Sequence, residues 1–235
     1  MRALGLNDYQ DYKEYLHHNI DEEAKLLQAL TINLSFFFRN METFNFIENY
    51  IFPDFKKLDE DLVFWSAGCA HGEEPYSLAI CARENSLTQR LIVFGTDIDN
   101  EAIETGRRGT YGSAAFQYTP DALKEKYFTK TGDEYVLKED IKRHVRFYNH
   151  DIFDSPVFGP CDLIMCRNVL IYMDRKAQSA LLRNFYENLK IGGYLIIGKV
   201  ELLIGIPEAK LFEVVSRVEH VYRKSVDDIR IYDSA

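Results

Sequence analysis

The chain has 235 residues, 46% of them hydrophobic and 28% charged, with a formal net charge of -9; this length suits one domain, with or without a small appendage, that hides roughly 70–75% of its unfolded surface. An acidic surface repels phosphate backbones, which argues against nucleic acid as a partner. No apolar run reaches the ~18–20 residues that span a bilayer, and the start, MRALGLNDYQDY, turns polar too early for a secretory signal.

In chain order, residues 7–50 read as helical: Tyr9, Tyr12, Tyr15 and Leu16 recur at helical spacing, then Leu26, Leu27 and Leu30. A distinct helix is expected over Met41–Tyr50, with Phe44, Ile47 and Ile51 on one face and Pro53 closing it. From residue 61 strands and helices alternate: strand Leu62–Ala67, helix Pro75–Ala82, strand Leu91–Thr96, helix Asn100–Arg107, strands Val145–Asn149 and Asp162–Cys166. Arg175–Leu189 is a strongly amphipathic helix expected to end at Gly192-Gly193, followed by strand Tyr194–Gly198. Residues 211–223 read as two β segments with Arg217 at their turn. Strands joined by crossover helices imply a mainly parallel sheet covered on both faces. Residues 112–143 break that rhythm and read as an inserted helix plus hairpin around Gly132-Asp133.

Cys69, Cys81, Cys161 and Cys166 form no Cys-x-x-Cys pair and sit in or beside apolar segments, so reduced, buried thiols and a cytoplasmic location are expected. The six histidines show no metal-ligand spacing, and no metal is expected.

The chemical signal concentrates in VFWSAGCAHGEEPYS, residues 63–77. A buried strand runs into a loop with Gly68 and Gly72, then into a helix near Pro75, the place where open α/β sheets bind ligands. The loop lacks the Gly-Lys-Ser/Thr of a phosphate-binding loop and the three-glycine dinucleotide pattern. It carries Glu73 and Glu74 instead, which suit hydroxyls and an ammonium or sulfonium charge, as S-adenosylmethionine presents; either carboxylate also suits the positive end of the helix. The second strand ends in TDID, where Asp97 is placed to accept ribose hydroxyls and Asp99 serves equally well as a helix cap.

Four blocks, TINLSFFFR (31–39), SAGCAHGEEPYS (66–77), TDID (96–99) and CRNVLIYMD (166–174), with a looser fifth, GGYLIIGKVE (192–201), resemble the CheR family of chemotaxis receptor glutamate methyltransferases in order and content. The resemblance implies a class I methyltransferase (Rossmann-like) α/β fold, with a doubly wound, mainly parallel sheet. It implies a short helical amino-terminal region (1–52, shorter than the family's), a cofactor-binding methyltransferase domain (53–235) and the insert at 112–143. The implied cofactor is S-adenosylmethionine, released as S-adenosylhomocysteine. Residues matching the cofactor pocket are Asn33, Ser35, Arg39, Glu73, Glu74, Asp97, Asp151, Ile152, Arg167 and Asn168; Arg39 and Tyr172 match the site of transfer. The expected partners are the cytoplasmic methylation helices of chemoreceptors, reached by a monomer that touches membranes only through the receptor. In some relatives the insert grips a receptor-tail peptide by strand addition; a cover over a sheet edge is the equal alternative. Two positions depart from the pattern: Gly198-Lys199-Val200-Glu201 replaces a Gly-x-Ser-Glu, and His71 stands where a small hydroxyl residue is common. A catalytically weak or inactive cofactor-binding signalling module, or a methyltransferase with another acceptor, is the competing expectation.

A glutamate side chain is already ionised at neutral pH, its ordinary pKa being about 4.3, so its methylation needs orientation and desolvation rather than a general base. The planar fork of Arg39 suits the task of holding a carboxylate, although an arginine after three phenylalanines also suits a side chain reaching out of an apolar helix. Tyr172 is expected to close the site, or to be a core aromatic with its hydroxyl at the surface.

Overall fold

A computed structural model describes residues 4, 6, 8–19, 22, 26, 35–156 and 158–225. Two compact units are distinguished, Met1–Leu34 and Ser35–Ala235, a division earlier in the chain than the one drawn after residue 52 from the sequence. In the first unit, helix α1 (Tyr9–His17) is capped by Asp8, whose carboxylate accepts from the Gln10 amide at 2.6 Å. That contact satisfies one of the amides orphaned at a helix start. None of the α1 residues is buried, and Tyr9 is 82% exposed.

In the second unit the helical reading fails over residues 35–40, which form a turn leading into helix α2 (Met41–Phe46). Phe38 (φ 55°) and Asn40 (φ 61°) are left-handed, a conformation that interrupts a helix. Burial accounts for it: Phe37 and Phe38 are 0% and 1% exposed, and the turn sends both rings inward. Phe37 lies 4.8, 5.1 and 4.9 Å from the rings of Tyr111, Phe116 and Phe128, contacts worth about 0.5–1.5 kcal/mol each beyond their buried area. After α2 the chain widens into a π turn (Ile47–Ile51) and continues as helix α3 (Phe52–Phe55). Pro53 therefore starts α3 instead of closing the helix before it, because its missing N–H falls in a first turn where no partner is required. Phe44, Ile47, Ile51, Phe52 and Phe55 form the buried face of this run.

The main sheet has seven strands: β1 (Leu62–Ala67), β2 (Leu91–Asp97), β6 (Val145–Asn149), β7 (Cys161–Cys166), β8 (Leu189–Ile197), β9 (Phe212–Ser216) and β10 (Val221–Lys224). Their order is β6-β2-β1-β7-β8-β10-β9. The five strands from β6 to β8 are parallel, and β10 pairs antiparallel with both β8 and β9, giving the tail hairpin expected from the sequence. This is the doubly wound arrangement implied by the resemblance. Helices α4 (Glu73–Glu84), α5 (Asn100–Arg108) and α8 (Arg175–Asn188) connect the parallel strands. Alternation along β1 sends Leu62 and Phe64 to a core shared with α2 and α4, and Trp65 and Ala67 to a second core against α8. Both faces of the strand are thus dry, so it reads in sequence as a continuous apolar run.

Gly192-Gly193 does not end α8. The helix stops at Asn188 and both glycines lie inside β8, opposite a register shift between Cys161 and Leu163 of β7. A Cβ on Gly193 would stand 2.9 Å from the Lys190 carbonyl and 3.1 Å from those of Cys161 and Asp162. Backbone approach, not helix termination, is what the glycine serves.

The insert contains β3 (Thr110–Gly112), α6 (Asp121–Tyr127), the hairpin β4 (Phe128–Thr131) and β5 (Glu134–Leu137), and α7 (Glu139–Lys142). A second antiparallel sheet, ordered β3-β5-β4, adds one strand to the expected hairpin. The Tyr111 hydroxyl donates to the His71 carbonyl at 2.9 Å, tying this small sheet to the glycine loop after β1.

Among the described residues no helix is long and apolar enough to cross a membrane. The four cysteines are buried and unbridged, and burial pushes each thiol above its ordinary pKa.

Candidate active site

In the main sheet the chain turns one way from β1 to β2 and β6 and the other way from β7 to β8, so the direction reverses between β1 and β7. The loops leaving the carboxyl ends of these two strands stand where α/β folds place their ligands. The loop after β1 is tied down by its own backbone. The amides of Gly68 and Cys69 both donate to the Thr96 carbonyl, at 2.8 and 2.9 Å. Gly72 (φ 94°) caps α4, and a Cβ there would stand 2.8 Å from the Phe147 ring and 3.1 Å from Gly106 Cα. No other residue type fits both the backbone and the space.

Three carboxylates meet at these strand ends. Asp97, at the tip of β2 and 8% exposed, accepts from the Ala70 amide at 2.8 Å and from the Asp99 amide at 3.0 Å. Burial raises its pKa despite those donors. Asp99 takes the capping role: its side chain accepts from the amides of Glu101 and Ala102, the first turn of α5.

The two glutamates of the glycine loop part company. Glu74 turns inward, accepting from the Ser66 hydroxyl at 2.7 Å and pairing with Arg167 at 3.5 Å. Burial raises its pKa and Arg167 opposes the rise. Glu73, the first residue of α4, is 4% exposed and hydrogen-bonded by the Ser35 hydroxyl. Among the described residues its Oε2 has no hydrogen-bond partner at all. Burial pushes its pKa up to about 7, against the opposing pull of its own amide and of Ser35. A buried carboxylate oxygen left unmatched is costly, by about 1–3 kcal/mol or more, and marks a place where a donor belongs.

Arg39, half-buried in the 35–40 turn, lies close enough to Glu74 and Arg167 to act electrostatically on both. The structure therefore gathers Arg39, Glu74 and Arg167 in one cluster, Ser35 with Glu73 in another, and Asp97 against the glycine loop. Asn168 follows Arg167 in a left-handed conformation (φ 61°), half-buried. Tyr172 sits on a 3-10 turn (Leu170–Tyr172) with 61% of its surface exposed, so it lies at the surface and not in the core. Asp151 is exposed and accepts from the Phe153 amide at 3.0 Å. Ile152 packs against the second core, its carbonyl accepting from Asn184. Asn33 lies outside the described residues. Also among the described residues, no group of three or more His, Cys, Asp or Glu side chains is arranged to hold a metal.

Two residues in this region were given no role from the sequence. Asn40 is bonded by Arg167. Glu201, 3% exposed, bridges the loops after β7 and β8 by accepting from the amides of Leu170 at 2.7 Å and Gly198 at 2.5 Å. Glu201 survives in the altered GKVE block, and a carboxylate three residues beyond a strand-ending glycine was a usable signal. Nothing in the local sequence marks Asn40.

Residues 33–219 match the model of the family described as CheR methyltransferase, SAM binding domain. An uncharacterized 104.1 kDa protein of Rhodobacter capsulatus is 31% identical over 94% of this chain, which spans only 24% of that protein's length. Chemotaxis protein methyltransferases are similar over more of their own length: that of Borreliella burgdorferi is 31% identical over 87% of this chain and 77% of the relative. That of Salmonella typhimurium is 33% identical over 86% of this chain and 72% of the relative. With the family model matched over residues 33–219, the chain belongs to the CheR family of S-adenosylmethionine-binding methyltransferases.

Proposed function

We propose that this protein transfers a methyl group from S-adenosylmethionine to glutamate side chains on the cytoplasmic methylation helices of chemotaxis-type receptors. The observation that carries the reading is the unmatched Oε2 of buried Glu73, at the end of the sheet where Arg39 also stands. An acidic pocket of this kind fits a ligand bearing an ammonium group and ribose hydroxyls better than it fits a pyrophosphate.

Glu73 would receive the ammonium, with Ser35 holding its carboxylate in place. Asp97 accepts from the Ala70 and Asp99 amides through different oxygens, which leaves acceptor capacity for ribose hydroxyls. Asn168, Asp151 and Ile152, on loops that follow β7 and β6, would bound the adenosine. When bound, the cofactor supplies an electrophilic methyl group and leaves as S-adenosylhomocysteine. The acceptor glutamate arrives ionised at neutral pH, so no side chain need act as general base. Arg39 holds the acceptor carboxylate, and Tyr172 at the surface closes over it and excludes water; orientation of this kind lowers a barrier by up to about 7–11 kcal/mol. The chemotaxis naming of the relatives supports the receptor as the acceptor, and contact with the membrane would then run through the receptor.

The test is incubation with labelled S-adenosylmethionine and receptor membranes, followed by mapping of the labelled residues. Wild-type protein is expected to form glutamyl methyl esters and Arg39→Ala to form none. Undiminished transfer by Arg39→Ala would remove that residue from the mechanism, and unlabelled receptor with the wild type would remove the acceptor.

A further inference from the structure

Arg167 is the first residue after β7, and its side chain is only 3% exposed. A guanidinium so placed must find acceptors inside the protein, since burying an unpaired charge is prohibitive. It finds three. Its Nη2 donates to the Arg39 carbonyl at 2.7 Å and to Asn40 Oδ1 at 2.6 Å, and its Nη1 faces Glu74 Oε2 at 3.5 Å. The Phe44 ring lies 5.9 Å away on one side.

Two of those acceptors belong to the turn that carries Arg39, whose backbone is held in a rare conformation. Phe38 and Asn40 are left-handed without being glycine, and such residues persist only where surrounding contacts over-determine them. The turn's entry is fixed by Phe37, through its amide to the Ala115 carbonyl at 2.9 Å, and by the Phe38 amide to Ser77 Oγ at 3.0 Å. Its exit is gripped by Arg167. The third acceptor, Glu74, is on α4, so one planar fork joins the turn to the helix that begins at the glycine loop. A lysine ammonium offers no such fork. All three of these contacts lie within the protein, which is the pattern of a positioning group.

We propose that Arg167 is a positioning residue that locks the Arg39–Asn40 turn against α4 and so fixes the direction in which Arg39 meets the acceptor. The proposal rests on the role given to Arg39 above, but its structural half is independent of any acceptor. It also explains how two like charges, Arg39 and Arg167, stand near each other: the carboxylate of Glu74 lies beside both.

Arg167→Lys and Asn40→Gly separate this from a direct cofactor contact. Glycine adopts the left-handed conformation of position 40 readily and removes only the side-chain acceptor. In the cofactor-free protein, hydrogen exchange of the amides of residues 38–43 is expected to quicken at least tenfold in Arg167→Lys, with the sheet unaffected. Calorimetry should show the Kd of Asn40→Gly for S-adenosylhomocysteine within threefold of wild type. With receptor membranes, kcat should fall at least tenfold in Arg167→Lys and less in Asn40→Gly, and the double variant should be no worse than Arg167→Lys alone. Unchanged exchange in residues 38–43 overturns the proposal, as does a loss that appears in Kd with kcat preserved. Should Arg167→Lys fail to fold, the same readings on Asn40→Gly decide. If the wild-type protein labels no receptor, the functional reading fails by itself, and the exchange measurement still decides whether Arg167 locks the turn.

Discussion

Replacing Glu73 by glutamine should stabilise the cofactor-free protein, and increasingly so as pH rises from about 4.5 to about 7. The carboxyl is 4% exposed, and burial raises its pKa from 4.5 to about 7. A group whose folded pKa lies above its unfolded value contributes stability that is fully present below pH 4.5 and is lost as pH rises through about 7. At about 1.4 kcal/mol per pKa unit, ionising Glu73 in place costs the folded state about 3 kcal/mol. Glutamine copies the protonated acid and titrates nowhere. Urea denaturation of the cofactor-free proteins should therefore give equal stabilities near pH 4 and a variant more stable by about 3 kcal/mol at pH 8. Affinity for S-adenosylhomocysteine should move the other way: in wild type it falls toward tenfold per pH unit below about 7, as the ammonium loses its anionic partner, whereas in Glu73→Gln it is weak and flat. Stability profiles that run parallel from pH 4 to pH 8 would refute the reasoning, because they would show that Glu73 titrates alike in the folded and unfolded chain.

Two further substitutions probe the same end of the sheet. Gly72→Ala forces a Cβ to 2.8 Å from Phe147 and 3.1 Å from Gly106 Cα at φ 94°, and should cost about 2–4 kcal/mol in urea denaturation, combining backbone strain with displaced core atoms; a loss below about 1 kcal/mol would mean the loop relaxes freely. Asp97→Asn replaces one of the two oxygens that accept from Ala70 and Asp99 with an NH2 group, so cofactor affinity should fall at least tenfold by calorimetry, and an unchanged Kd would take Asp97 out of the pocket.

The order of elements was legible because burial imposes a pattern. Strands dry on both faces read as apolar runs, as β1 and β7 do, and the glycine loop announces itself by Gly68, Gly72 and Pro75 on one junction. Local geometry dictated by distant contacts was not legible. Helical spacing carried the reading of residues 7–50 across Ser35–Asn40, yet the turn there depends on Phe37 meeting the insert and on Arg167 reaching Asn40 from 127 residues away. Gly192-Gly193 and Pro53 were read as stop signals, which is what such residues signify in an isolated helix. In the fold one permits close backbone approach and the other begins a new helical segment. Glu73 and Glu74 are adjacent and identical in the sequence; only the position of Arg167 makes one an internal ion-pair partner and leaves the other with an oxygen unmatched.

That asymmetry has a consequence for how the site is built. Placing three carboxylates at the ends of neighbouring strands is unfavourable in the absence of a cation, and burial raises the pKa of each. The fold offsets two of them internally, Asp97 with backbone amides and Glu74 with Arg167 and Ser66. Glu73 receives a hydroxyl and its own amide, and one oxygen remains. Stability and binding are thereby set against each other at a single side chain. A chain selected for stability alone would fill that position with a neutral residue. Keeping an acid there makes sense where a positively charged ligand completes the pocket, and beside it the Arg39 carbonyl is held by Arg167, which in turn pairs with Glu74.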